Sequence, residues 1–78
     1  MITVKLYGLL RLDSGIRERQ LKAATVNEVF SLLLKETDRI TRKDLDGCVI
    51  LINGKEGKAR NKLKDGDQVI LLSPVAGG

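Results

Sequence analysis

Lys64-Asp65-Gly66-Asp67-Gln68-Val69-Ile70-Leu71-Leu72-Ser73-Pro74-Val75-Ala76-Gly77-Gly78 is the stretch whose reading decides the fold. Lys64 to Asp67 is a tight turn by its composition. Gln68 to Ser73 reads as a strand with an apolar, buried centre. Pro74 removes a backbone donor and stops the strand. Side chains alternate along a strand, so Val69 and Leu71 share one face and Ile70 and Leu72 the other. Val69 and Leu71 are assigned to the core, and Ile70 and Leu72 to a surface that a partner covers. Residues 74–78 then narrow to small side chains and two glycines. They are expected to form a flexible tail on a domain spanning residues 1–73. An α-carboxyl has a pKa of roughly 3.3–3.7, so a carboxylate on Gly78 is ionised at neutral pH. With no Cβ on Gly77 or Gly78, the backbone can thread a narrow active site of another protein. The Gly78 carboxylate is the candidate reactive group.

A strand of this kind needs neighbours. Ile2-Thr3-Val4-Lys5-Leu6-Tyr7 alternates apolar and polar, placing Ile2, Val4 and Leu6 inward and Thr3, Lys5 and Tyr7 outward. Tyr7 joins Ile70 and Leu72 on the expected partner face. Leu9 to Gly15 reads as a connection closed by Asp13-Ser14-Gly15. Its Leu9, Leu10 and Leu12 fit a core or an interface equally. Arg17 to Leu21 is short and charged, as edge strands are. Thr25 and Glu28 match a capping box, and Val26, Val29, Phe30, Leu33 and Leu34 form one helical stripe. Ile40 and Leu45 anchor a polar segment with room for a short helical turn. Cys48 to Ile52 reads as a strand buried on both faces. Asn53-Gly54 is a type I′ hairpin signal, with Lys55 to Arg60 returning as a weak strand. The order β-β-α-β-(short β)-β gives an α+β fold, a mixed sheet packed against one main helix. Its first and last strands pair in parallel at the sheet centre.

Composition narrows the function. A chain of 78 residues, 42% hydrophobic and 31% charged, is one small globular domain. It has one Cys and no His. An internal disulfide, the usual zinc sites and a His general base are therefore absent, which weighs against autonomous catalysis. Cys48 reads as a small buried hydrophobe rather than a persulfide store. The net charge is +4, but Lys and Arg are scattered and the aromatics are Tyr7 and Phe30 alone. Stacking platforms for nucleic acid need more, so nucleic acid is not expected as a partner. Lys55, Lys58, Arg60 and Lys62 cluster around the hairpin as a solvated face. No run approaches a membrane span, no signal peptide is evident, and the expected location is the cytoplasm.

The order of elements with a terminal Gly-Gly resembles the ubiquitin-like β-grasp proteins. Among them it is similar to the small subunit of molybdopterin synthase, the MoaD type of sulfur carrier. The likeness rests on the opening strand Ile2 to Tyr7 and on the leucine- and arginine-containing segment Gly8 to Gly15. It rests further on the turn Leu63-Lys64-Asp65-Gly66-Asp67-Gln68-Val69 and on the end Ser73-Pro74-Val75-Ala76-Gly77-Gly78. Ser73 stands where the family frequently has a first proline, an expected slight loosening of the tail's entry. The resemblance implies that an adenylating, E1-like activating enzyme uses ATP to attach AMP to Gly78. A sulfur donor then displaces AMP and leaves a thiocarboxylate. The large subunit of molybdopterin synthase binds the domain through Tyr7, Ile70, Leu72, Pro74, Val75 and Ala76, and sulfur passes to a pterin precursor. No metal or cofactor would be held by this chain. Sulfur carriers for thiamine or thiolated tRNA share the fold and the Gly-Gly end, as do protein modifiers joined through their terminal glycine. The thiamine carriers are typically shorter and lack the long segment at Leu9 to Gly15.

Overall fold

Ile2–Tyr7 forms strand β1, with Ile2, Val4 and Leu6 buried and Tyr7 exposed, as the alternation requires. The computed structural model describes residues 1–73. The remaining elements are α1 (Leu9–Ser14), β2 (Glu18–Leu21), α2 (Val26–Glu36), α3 (Arg42–Asp46), β3 (Val49–Ile52), β4 (Lys55–Gly57) and β5 (Gln68–Leu72). The strands make one five-stranded sheet in the order β2-β1-β5-β3-β4. The first and last strands run parallel at its middle, with Val4 opposite Val69 and Leu6 opposite Leu71. β2, β3 and β4 pair antiparallel with their neighbours.

The core lies between one face of the sheet and α2. Val26, Val29, Phe30 and Leu33 are fully buried there, against Ile2, Val4, Leu6, Val69 and Leu71. Burying each such side chain stabilises the fold by about 1.5–3 kcal/mol. α2 starts as the sequence requires, with the Thr25 hydroxyl accepting from the Glu28 amide at 3.2 Å. The reciprocal half of the capping box does not form. The Glu28 carboxylate instead meets the Thr25 hydroxyl at 3.4 Å. Two other free amides of the first turn, Val26 and Asn27, donate to the carbonyls of Asn61 and Ala59. The segment after β4 thus helps cap α2. The complete capping box appears at α3, between Thr41 and Asp44, and Ile40 and Leu45 anchor that helix in the core.

Two expectations are corrected. Leu9 to Gly15 is not an irregular connection. It folds into α1, a six-residue helix ended by Gly15 in the left-handed region at φ 75°. Leu10 is 2% exposed and joins the core, which holds this short helix in place. Leu9 and Leu12 remain exposed. β3 is not buried on both faces, because one helical layer covers only one side of the sheet. Ile50 and Ile52 pack on the core, while Val49 is exposed and Leu51 half-buried. Smaller adjustments concern element ends: Arg17, Cys48 and Ser73 lie outside their strands, and β4 stops at Gly57.

The Asn53-Gly54 hairpin turn has both residues at positive φ, 52° and 84°, as a type I′ turn requires. Asn53 also ties this turn to the one before β5. Its side-chain amide donates to Asp67 Oδ1 at 2.9 Å, and its Oδ1 accepts from the Gln68 amide at 2.9 Å. The other carboxylate oxygen of Asp67 accepts from the Lys64 amide at 2.8 Å. That backbone bond first, and the Asn53 amide second, hold the Asp67 carboxyl below its ordinary value of 3.8. A depressed carboxyl pKa contributes stability that is complete above the unfolded value and is lost as pH falls through the folded one. Asp67→Asn is therefore expected to lower the melting midpoint at neutral pH. The gap to the unaltered chain should begin to close below about pH 4, near the unfolded carboxyl pKa, and vanish only once the pH has fallen below the depressed folded value. A constant gap from pH 7 to pH 2 in thermal melts would contradict this.

Candidate functional site

The face of the sheet turned away from α2 carries the candidate site. Strand register places Tyr7, Leu72 and Val49 side by side in one row across β1, β5 and β3. The next row is Lys5, Ile70 and Leu51, and a third pairs Thr3 with Gln68. Side chains in register on neighbouring strands share a face. Tyr7 and Leu72 are each 39% exposed and Val49 38%. Ile70 and Leu51 are half-buried. The result is a contiguous apolar patch, of the kind that marks a protein-docking surface. Charges flank it on both sides: Lys5 and, on β2, Glu18, at 3.9 Å from one another, and Glu56 on β4, in register with Leu51.

Tyr7 and Leu72 end their strands, and β1 and β5 are parallel, so both sit at the same end of the sheet. Ser73 and the rest of the chain leave from that end. The patch and Ser73, the last described residue, are therefore adjacent by construction. Of the residues singled out in the sequence, Tyr7, Ile70 and Leu72 are brought together. Pro74, Val75, Ala76, Gly77 and Gly78 lie outside the described residues. Val49 and Leu51 also belong to the patch and were missed, because the continuous apolar run of β3 was read as buried on both sides. The available signal was the single helical stripe at Val26 to Leu34, enough to cover one face of a sheet.

The Leu10 amide, in the first turn of α1, donates to Ser73 Oγ at 3.2 Å. Gly8, the residue before that helix, supplies no side-chain cap of its own. Ser73 is thereby joined to α1 by a hydrogen bond, while the expected loosening of the tail concerns residues outside those described.

Cys48 is partly buried against the core, and burial pushes its thiol up to about 11. Thiolate, not thiol, is the nucleophile, so Cys48 is poorly suited to take up sulfur. Alkylation of the native chain by iodoacetamide at pH 7 is expected to run roughly a hundred-fold slower than for a free cysteine. Alkylation as fast as in the urea-unfolded chain would overturn that. Among the described residues, no group of three His, Cys, Asp or Glu could hold a metal ion, and no helix is long and apolar enough to cross a membrane.

A mixed five-stranded sheet with parallel β1 and β5, wrapped on one face around α2, defines a ubiquitin-like β-grasp protein. Its sequence takes the assignment one step further. Residues 4–78 match the ThiS family, and the chain belongs to that family of ubiquitin-like sulfur carriers. No curated protein matches it in sequence. Several solved structures do match. A chain in the complex of subunits 1 and 2 of molybdopterin-converting factor from Helicobacter pylori is 28% identical. That match covers 99% of this chain and 97% of the other, with a TM-score of 0.70. Small archaeal modifier protein 1 from Methanosarcina acetivorans is 26% identical over 99% and 95% of the two chains, with a TM-score of 0.82. A chain of the BexX/CysO complex from Amycolatopsis orientalis is 25% identical over the whole of both, with a TM-score of 0.75. Two of these three relatives are seen in complex with a partner protein.

Proposed function

We propose that this chain is the sulfur-carrying small subunit of a molybdopterin synthase, working through a thiocarboxylate on Gly78. The observation that carries the reading is the apolar row Tyr7–Leu72–Val49, set at the sheet end from which the chain leaves for Gly78. A domain that presents a reactive chain end needs a docking surface beside it. Ordering two glycines in a partner's site costs roughly 1–2 kcal/mol per residue, which the docked patch must offset. Two features favour the molybdopterin branch: the long Gly8 to Gly15 segment, here a helix, and the likeness to the Helicobacter pylori complex.

In the chemistry we propose, the Gly78 carboxylate attacks the α-phosphorus of ATP on an activating enzyme and expels pyrophosphate. A carboxylate is a poor electrophile, and the acyl-adenylate makes it a good one with AMP as leaving group. Sulfide-level sulfur from a donor then attacks the acyl carbon, breaks the bond to AMP and leaves the thiocarboxylate. Bound to the large subunit, the thiocarboxylate gives its sulfur to a pterin precursor, and hydrolysis restores the carboxylate. This chain contributes position and the acyl group, and no acid, base, metal or cofactor of its own.

The likeness to an archaeal modifier protein favours a second reading, attachment of Gly78 to lysines of other proteins. Intact-mass analysis of the protein from its native cell separates the two. Exchange of oxygen for sulfur at Gly78 is the expected result. Lysine-branched peptides ending in Gly77-Gly78, without any thiocarboxylate, would replace the carrier reading with the modifier one. Thiocarboxylate that the large subunit cannot discharge would redirect the proposal to thiamine or tRNA thiolation.

A further inference from the structure

We propose that Ser73 is a positioning residue: its hydroxyl clamps the root of residues 74–78 to helix α1 and so sets the point from which Gly78 is presented. The inference rests on the carrier reading above.

α1 has an unusual start. The residue before it, Gly8, lies at φ 67° and ψ −142°, a conformation nearly reserved for glycine, and having no side chain it offers no cap. The first helical bond, from the Leu12 amide to the Gly8 carbonyl at 3.2 Å, leaves the Leu10 amide without an intrahelical acceptor. Ser73 Oγ fills that vacancy at 3.2 Å, from 63 residues away in sequence. An N-cap is thereby supplied by the last residue of the domain. Leu10 is itself held at both ends. Its side chain is buried in the core, and its carbonyl accepts from the hydroxyl of Ser14, a buried residue whose Oγ also takes the Ile16 amide at 3.1 Å. The acceptor that Ser73 provides is thus joined to a fixed part of the molecule.

Gly8 makes the clamp possible. A Cβ on it would stand 2.6 Å from Ser73 Oγ and 3.1 Å from the Ser73 carbonyl oxygen. The bare glycine lets Ser73 cross directly over the β1–α1 junction. There its hydroxyl and amide also lie 3.5 Å from the Tyr7 carbonyl, at the limit of hydrogen bonding. Beyond this point five residues remain to Gly78. A five-residue segment spans at most about 17 Å. Releasing Ser73 moves the last anchored residue of the described chain back to Leu72, roughly 3.5 Å away. Misplacement on that scale is what proximity effects punish, in turnover rather than in docking.

The test uses the full chain, with Ser73→Ala and Ser73→Thr. In Ser73→Ala, hydrogen exchange at the Leu10 amide should speed up about 2- to 10-fold, as expected for one lost hydrogen bond. The kcat for adenylation of Gly78 by the activating enzyme should fall by a similar factor, with KM unchanged, and Ser73→Thr should restore both. Unchanged Leu10 exchange in Ser73→Ala overturns the clamp. Faster exchange with an unaltered kcat overturns its role in presentation. An unaltered chain that no activating enzyme adenylates overturns the carrier reading, while Leu10 exchange still decides whether the clamp exists.

Discussion

Deleting Gly78 is expected to abolish sulfur loading and transfer while leaving the domain intact. The shortened chain still ends in a carboxylate, on Gly77, so the loss tests position and not the presence of an acid. The end retreats by about 3.5 Å relative to the docked domain. Misplacement of a reacting group by even about 1 Å can cost a hundred-fold in rate, so ATP-dependent adenylation should fall at least about a hundred-fold. Residues 1–73 supply the buried core, from Ile2 to Leu71, so the thermal midpoint should not move. Affinity for the large subunit should change little if Tyr7, Ile70 and Leu72 carry most of the docking. Pyrophosphate exchange, intact mass and calorimetric binding read these three quantities separately. Full sulfur transfer by the shortened chain would sink the mechanism.

The second large effect is placed at Leu72→Asp. Leu72 stands at the middle of the row Tyr7–Leu72–Val49, in register with both neighbours, and is 39% exposed. Truncating a hot-spot residue near the centre of a docking surface costs about 2 kcal/mol or more. Replacing it by a carboxylate adds the cost of burying an unpaired charge. Association with the large subunit proposed as partner is therefore expected to weaken by at least about 30-fold. The fold should survive, because Leu72 lies on the face opposite α2 and is itself 39% exposed, as are its row neighbours Tyr7 at 39% and Val49 at 38%. Leu71→Asp, one residue earlier, is the control. Leu71 is fully buried, and a carboxylate there should unfold the domain. Undiminished binding by a folded Leu72→Asp chain would show that the partner docks elsewhere.

These expectations differ in how early they could be formed. The division of β5 into a core pair and a partner-facing pair needed only the period of a strand and the apolar character of Val69 to Leu72. Parallel pairing of β1 with β5 was equally accessible, because a helix between strands is the crossover that parallel pairing requires. The hairpin at Asn53-Gly54 and the turn at Gly66 were legible because positive φ restricts residue choice so strongly. Misreadings fell where a local pattern had two outcomes. Gly8 to Gly15 carries a turn-like ending and leucines at positions that suit a loop or a helix, and burial of Leu10 decides for the helix. The run Cys48 to Ile52 is apolar throughout, and only the packing of the helices on one face of the sheet among the described residues leaves Val49 and Leu51 in the patch.

By itself the chain of residues determined the order of the strands and of α2, the core positions on β1, α2 and β5, and the composition of the Gly77-Gly78 end, because each follows from short-range periodicity and composition. Tertiary structure alone decided that the Leu10 amide finds its acceptor in Ser73 and that Val49 stands beside Leu72 and Tyr7. Those contacts join residues far apart in sequence. Nothing local to either member specifies them until the parallel pairing of β1 and β5 brings both to one end of the sheet.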